Sequence, residues 1–279
     1  MTAKNDLKSL ADALAARFRD GADIESDAAD SGVASLARMA ARGSQRRFSH
    51  QPVAPELLRL LSAVALSAPT KSDLQQRDII LVSDPALRSA LNALIAEQAW
   101  TGGAPALLVF CGNNRRQRWL HRARGRPFAN DHLDAFFNAA VDAGIALATY
   151  VSAAEAAGLG CCPISAIRND AEQASRLLKL PEHVFPVAGL AVGWPAAPAV
   201  VTPRLPLSVT LHENHYGEEN LEAAVAAYDR RRSYARQRDI ETFGEDPAYG
   251  WSEDKARQYA KPERAGFGAF VRQKGFRLD

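Results

Sequence analysis

The spacing of apolar residues predicts a regular succession of helices and strands. Leu7, Leu10, Leu14 and Phe18 recur at helical spacing and predict a short amphipathic helix over residues 6–18. A polar break at 21–31 precedes a second helical stretch, 33–41. Pro52 then leads into a third, 54–67, with Leu57, Leu60, Leu61 and Val64 on its inner face. Residues 68–76 (APTKSDLQQ) lack helical periodicity, open on Pro69 and are rich in hydrogen-bonding side chains, which suits a ligand-contacting loop. Strands are predicted at 78–82 and 104–111 around a helix at 85–96, and their continuous apolarity implies burial on both faces. Residues 131–157 are helical and apolar nearly all round, so this helix is expected in the core or across a subunit contact. A glycine turn and strand at 158–165 (GLGCCPIS), a polar helix at 170–178 and a strand at 187–193 complete the ordered core. Beyond Pro206 the chain becomes polar and arginine-rich, with helical patches at 221–232 and 253–259. Strands separated by helices point to an α/β or α+β sandwich, most simply one domain with a long C-terminal extension.

Charge and composition narrow the functional classes. The chain carries 34 Lys+Arg against 32 Asp+Glu, too balanced for a nucleic-acid binder. Lys4, Asp6, Lys8, Asp12 and Arg17 interrupt the N-terminal apolar residues, so no secretory leader is expected. The longest uncharged stretch, 184–203, holds Pro186, Pro195, Pro198 and Pro203 and reads as a strand and a turn-rich loop, not a bilayer span. Cys111, Cys161 and Cys162 are too few and too clustered for a disulfide framework or a four-ligand metal site; buried thiols in a reducing cytoplasm fit them. No G-x-G-x-x-G follows a strand, neither a P-loop nor a G-x-S-x-G is present, and His212 and His215 have the wrong spacing for a helical metal pair. Six arginines at 115–126, with Trp119 and His121, are expected on a solvated loop or lid; the alternative is an anion-attracting gate or a seat for an anionic partner.

What remains is a cationic segment near the start, the polar loop from Ala68, a central glycine turn, and Arg204 between Pro203 and Pro206. Separated cations suit a phosphate dianion, and a hydroxyl-and-amide loop suits a heteroaromatic ring. The order of these segments resembles the nitroreductase family of FMN flavoproteins, particularly its branch of major oxygen-insensitive nitroreductases and NADPH flavin reductases. The resemblance runs from about residue 40 to the C-terminus. The family's R-S-x-R-x-F string contacts the FMN phosphate and ring. Ser44, Arg46 and Phe48 match it, with Gly43 at the first arginine position and Arg42 just before. The family's A-P-S-S-x-N-x-Q motif, which lines the flavin from the partner subunit, corresponds to 68–75. It implicates Thr70, Lys71, Ser72, Asp73 and Gln75, with Lys71 and Asp73 where small hydroxyl and amide residues are usual. Gln98 matches a glutamine near the ribityl chain or ring edge. GLGCCPIS resembles the turn over the isoalloxazine, implying Pro163, Ile164 and Ser165 beside the ring, with Ser165-Ala166 in place of a double glycine. LPEHVFPVAGLAVGWP and PRLP resemble a later strand and the phosphate arginine, here Arg204, with Thr202 where the family has lysine; residues 249–276 resemble the branch's tail.

The resemblance implies an α+β nitroreductase-like sandwich: a mostly antiparallel mixed sheet flanked by helices, in a domain-swapped homodimer. A helical arm over 1–40 would precede an FMN-binding domain over 41–279, including an extension at 207–279. It implies FMN as cofactor and NAD(P)H as co-substrate, in two-electron ping-pong reduction of nitroaromatics, quinones or free flavin. The flavin would carry the chemistry, so no catalytic side chain is expected. Trp119 and Phe128 would wall the substrate pocket, Arg236 or Arg238 would meet the coenzyme phosphate, and Lys71 near the reducible edge would favour an anionic reduced ring. A small-molecule acceptor, a cytoplasmic location and no membrane or nucleic-acid partner complete the expectation. The altered phosphate and glycine positions leave an alternative, a flavin-binding or flavin-delivering protein with little turnover.

Overall fold

The ordered elements of the computed structural model, which describes residues 3–18, 30–95 and 99–279, begin with helices α1 (Ala3–Phe18), α2 (Asp30–Ala41) and α3 (Pro55–Leu66). Strand β1 (Arg77–Val82), helix α4 (Pro85–Leu94), strand β2 (Ala106–Asn113) and helices α5 (Arg115–Ala123) and α6 (Leu133–Ala156) follow. Next come β3 (Gly160–Ile164), α7 (Ala171–Leu177), β4 (Val184–Gly193) and the short α8 (Leu207–Thr210). The chain ends with α9 (Leu221–Asp229), α10 (Ile240–Phe243), α11 (Trp251–Tyr259) and α12 (Phe267–Gln273). It divides into two units, Met1–Gly43 with Val200–Glu263 and Ser44–Ala199 with Arg264–Asp279.

The larger unit is built on a four-stranded sheet in the order β1-β2-β4-β3, and all three ladders are antiparallel. Alternation along β2 accounts for its continuous apolarity. Ala106, Leu108 and Phe110 enter one core cluster with Leu61 and Ala65 of α3 and Ala146 and Tyr150 of α6. Leu107, Val109 and Cys111 enter another with Leu91 of α4 and Ala174 of α7. Every residue of β2 is buried, and each large apolar side chain there contributes about 1.5–3 kcal/mol. β1 departs from the expected burial, because as an edge strand it is buried only at Arg77 and Val82. The β2–β4 register shifts between Phe110 and Cys111, the latter facing Pro186, which has no N–H to give to the ladder.

The remaining layers depart from the sequence pattern in two places. α6 is apolar nearly all round but is buried on one side only. Ala139, Ala143 and Ala146 are fully covered, whereas Leu133, Phe137 and Val141 are 49%, 58% and 41% exposed. By length and composition α6 could cross a bilayer; here one of its faces packs on the sheet instead. The arginine-rich stretch begins as a helix, α5, not a loop, because its side chains have partners. Arg116 pairs with Asp78 at 2.7 Å, buried Gln117 donates to the Leu74 carbonyl at 2.8 Å, and Arg118 pairs with Asp131 at 2.5 Å. The Arg118 hydrogen bond holds the Asp131 carboxyl below the usual carboxylate range. A third apolar cluster gathers Phe136, Phe185, Phe270 and Phe276 beneath α12. All three cysteines are buried, and burial pushes the Cys111 thiol up to about 12.

In the smaller unit, α1 and α2 pack through Leu10, Leu14, Val33 and Ala37. α9 and α11 meet at Tyr228 and Trp251, whose rings lie edge to face at 5.4 Å. Asp229 accepts from the backbone N–H of Ser252 at 2.8 Å and its hydroxyl at 2.5 Å. A β-carbon at Gly250 would press on Asp229, at 2.7 Å from Cγ.

Close packing at Gly112 yields a direct test. A β-carbon there would run into the ring of Phe185, with Cε1 at 2.7 Å, and Phe185 is 1% exposed and cannot swing away. Gly112→Ala is expected to cost about 1–3 kcal/mol as overpacking, read as a lower urea midpoint at unchanged slope.

Candidate functional site

The loop between α3 and β1 owes its shape to one carboxylate. Asp142 is the only charged residue of α6 between Asp134 and Glu155, and its side chain is 1% exposed. It accepts from the Thr70 hydroxyl at 2.5 Å, the Gln76 N–H at 2.9 Å and the Lys71 N–H at 3.2 Å. The guanidinium of Arg77, equally buried, lies 3.8 Å away and donates to the carbonyls of Leu66, Ala68 and Pro69 at 2.9, 2.7 and 3.2 Å. The Thr70 hydroxyl also accepts from the Gln75 N–H at 2.9 Å. Drawn over these anchors, Ser72, Asp73 and Gln75 take positive φ of 49°, 55° and 51°, conformations that non-glycine residues hold only under constraint. Lys71, Ser72, Asp73 and Gln75 are consequently exposed, whereas the Thr70 hydroxyl is committed within the loop.

Two other segments singled out in the sequence lie against each other. Buried Gln45 donates its backbone N–H to the Cys161 carbonyl at 2.9 Å and its side-chain amide to the Ala197 carbonyl at 2.7 Å. Phe48 bridges to Pro195, and the Ser49 N–H reaches the Trp194 carbonyl at 2.8 Å. The basic string therefore runs beside β3 and the end of β4. Gly160 permits this approach, since a β-carbon there would meet Gln45 Cγ at 2.6 Å. In an extended segment neighbours alternate sides; Gln45 faces the protein, Arg46 is exposed, and Ser44 is half-buried. The Arg46 guanidinium stands 5.8 Å from the centre of the Trp100 ring. Pro163 and Ser165 are exposed, while Ile164 is 1% exposed inside the second core cluster and offers a ligand its backbone only. The Ser165 hydroxyl accepts from Arg264, which also donates to Asn169 at 3.0 Å.

The remaining candidates are distributed as follows. Arg42 and Arg204 belong to the smaller unit. The exposed Arg204 guanidinium donates to the Thr202 hydroxyl at 2.6 Å and lines a cavity of about 580 Å³. Arg232 and Lys255 line the same cavity, with Tyr228, Tyr234 and Trp251 as aromatic walls, and Arg232 lies 4.8 Å over the Tyr234 ring. Arg236 is exposed, and Arg238 is paired with Asp254 at 3.0 Å. In the larger unit Trp119 is 59% exposed, while Phe128 is held beneath Arg118 at 4.8 Å and against His121 at 5.1 Å. Gln98 lies outside the described residues. Among the described residues, Arg46 and Arg204 have no carboxylate partner within 4 Å. Cations left uncompensated in this way are suited to an anion. Sequence reasoning missed Asp142, Arg77 and Arg264; only the lone charge within apolar α6 signalled the first.

Comparison with known proteins identifies the family of the chain. The chain matches the model of the Nitroreductase family over residues 39–194 and that of its C-terminal domain over 202–279, and it belongs to this family. It is similar to an FMN reductase [NAD(P)H] of Bacillus subtilis, 33% identical over 242 residues that cover 85% of this chain and 95% of that protein. It is also similar to an oxygen-insensitive NADPH nitroreductase of Salmonella typhimurium, 36% identical over 188 residues covering 67% of this chain and 76% of that protein. Among solved structures, NfrA2 of B. megaterium superposes with a TM-score of 0.80 at 31% identity, covering 88% of this chain and 98% of the other.

The Asp142 hub predicts a specific energetic signature. Asp142→Ala strands a buried Arg77 and should cost about 3–5 kcal/mol, whereas the double replacement Asp142→Leu with Arg77→Met should recover part of that loss. Urea denaturation of the two variants measures both.

Proposed function

We propose that the chain is an FMN-dependent NAD(P)H oxidoreductase that reduces nitroaromatics, quinones or free flavin, acting as a cytoplasmic homodimer with flavin sites at the subunit contact. The observation that carries this reading is the seating of the basic string on β3. It sets the segment of Ser44 and Arg46 beside that of Pro163 and Ser165 at one edge of the sheet, which supports reading the first pair as phosphate ligands and the second as cover for the ring. The donor set fits FMN on its own chemistry: the Arg46 and Arg204 guanidinium groups, without carboxylate partners among the described residues, for a dianion, and an exposed loop of hydroxyl, amide and ammonium groups for the edge of a ring.

In this reading Arg42, Ser44, Arg46 and Arg204 hold the phosphate, each charge-assisted contact contributing about 1.5–3 kcal/mol. Thr70, Lys71, Ser72, Asp73, Gln75 and Gln98 meet the ribityl chain and ring edge. Thr70 acts through the loop it braces, and the Lys71 ammonium favours negative charge at the ring. Pro163, the Ile164 backbone and Ser165 cover the ring. FMN, when bound, supplies two-electron hydride chemistry in ping-pong order. Phe128, fixed beneath Arg118, is the rigid wall of the acceptor pocket and Trp119 its exposed one; Arg236 or Arg238 meets the coenzyme phosphate. The names of the B. subtilis and S. typhimurium relatives support this choice of cofactor and reductant.

The dimer rests on the uncovered faces of α6 and α3. Leu133, Phe137 and Val141, four residues apart, form one apolar stripe, and Leu60 and Val64 on α3 are 60% and 43% exposed. A second copy covering these faces would bring its own 68–75 loop to the flavin, making the domain swap functional. In this organisation 1–40 is an arm on an FMN-binding domain over 41–279, whose extension spans 207–279.

The purified protein should show a flavin spectrum that anaerobic NADPH bleaches. A preparation still colourless after incubation with FMN refutes the cofactor, and bound flavin that NADPH leaves oxidised points to the carrier alternative. Phe137→Glu should yield a monomer by light scattering, with most of its flavin lost.

A further inference from the structure

α1 and nearly all of α2 precede the segment matched by the family model, which begins at residue 39. The last turn of α1 nevertheless reaches two segments of the proposed phosphate site. Arg17 is only 6% exposed, unusual for an arginine at the end of a surface helix. Its guanidinium donates to the Ala40 carbonyl at 2.7 Å, to the Thr202 carbonyl at 3.0 Å and to the Arg42 carbonyl. Its own carbonyl accepts the backbone N–H of Arg204 at 2.8 Å. One residue thus ties down the backbone at 40–42 and at 202–204, from which Arg42 and Arg204 project. Tyr228 fastens the latter segment again, donating its hydroxyl to the Pro203 carbonyl at 2.9 Å. Phe18, next in sequence, walls the cavity that Arg204 lines.

We infer that the N-terminal arm is a working part of the cofactor site, with Arg17 as the positioning residue that presets Arg42 and Arg204 for a phosphate dianion. The inference rests on the reading of Arg42 and Arg204 as phosphate ligands. Ordering a backbone segment costs roughly 1–2 kcal/mol per residue, and a segment already fixed no longer pays this when the ligand arrives. Arginine is suited to the task because its planar fork serves several carbonyls at fixed angles, which a lysine ammonium on a flexible stem does not reproduce. Thr202, where the family has a lysine, is one of the residues so held, so the arm supports the segment in which a charge is missing.

The test compares FMN with riboflavin, which differ only in the phosphate, by fluorescence titration of the full-length apoprotein. Arg17→Met should weaken FMN about tenfold while leaving riboflavin within about twofold, so that the preference for FMN falls about tenfold, or 1.4 kcal/mol. Arg17→Lys should restore only part of it. An unchanged preference, or an equal loss for both ligands, overturns the inference, the second outcome marking a purely structural arm. If Arg17→Met does not fold, Arg17→Gln, which keeps an amide donor, is expected to lower the preference in the same direction, and an unchanged ratio refutes the idea equally. Arg204→Ala, measured in parallel, separates the two levels: a wild-type-like preference in that variant removes the phosphate assignment itself, and the inference with it.

Discussion

A carboxylate enclosed by protein must find donors for its oxygens, because the interior offers no water to replace them. Asp142 meets this requirement from the chain between α3 and β1, and the rest of the site follows from that choice. Its donors are the Thr70 hydroxyl and the N–H groups of Lys71 and Gln76, so the intervening residues must arch outward. The arch forces three non-glycine residues to positive φ and turns Lys71, Ser72, Asp73 and Gln75 toward solvent. A loop of this composition without its anchor would sample many shapes. With the anchor, its side chains are offered in one arrangement, the condition for recognising a rigid planar ligand.

The same device recurs with the sign reversed. Arg77 serves three consecutive-turn carbonyls, Arg88 donates to those of Ala104 and Pro105, Arg168 to that of Val187, and buried Arg257 to those of Arg238 and Gly244. Arg17 does so from α1. These arginines satisfy carbonyls that turns, helix ends and, at Val187, the register shift in β4 leave without ladder or helix partners. Five of the chain's 34 Lys+Arg are therefore structural. Arg46 and Arg204 stand apart from them, exposed and lacking carboxylate partners among the described residues, so net charge is a poor guide to where an anion would be attracted.

The larger features were readable from pattern. β2 declared itself through uninterrupted apolar residues, and the polar loop from Ala68 through its lack of periodicity. The relation between segments was not readable. Nothing local connects Gln45 with Cys161 or Asp142 with Thr70, because these bonds join positions far apart in sequence, and the first ends on backbone groups common to every residue. The sequence pattern points to a loop at α5 for a related reason. Its arginines look solvated in sequence, yet Asp78 and Asp131, which neutralise two of them, lie outside the helix. Apolar composition likewise failed to distinguish the covered face of α6 from its bare one: Ala139 and Phe137 are both apolar, but the small residue lets the helix approach the sheet and the large one projects away.

The distribution of reactive groups separates what the polypeptide does from what it leaves to a bound group. The three thiols are buried, and Cys111 is pushed to about 12, so at neutral pH it is a packing group and not a nucleophile. The Tyr150 hydroxyl, raised by burial in the other core cluster, is equally unavailable as an acid. The exposed polar groups of 70–75, Ser44 and Arg46 beside β3, and Arg204 in the smaller unit are suited to holding charge and hydrogen bonds in place. A polypeptide that invests its buried charges in fixing loops, and its free cations in an anion, is built to orient a reagent. On the proposed reading that reagent is the flavin, and the differences between this chain and its relatives are then to be sought in how firmly each loop is held.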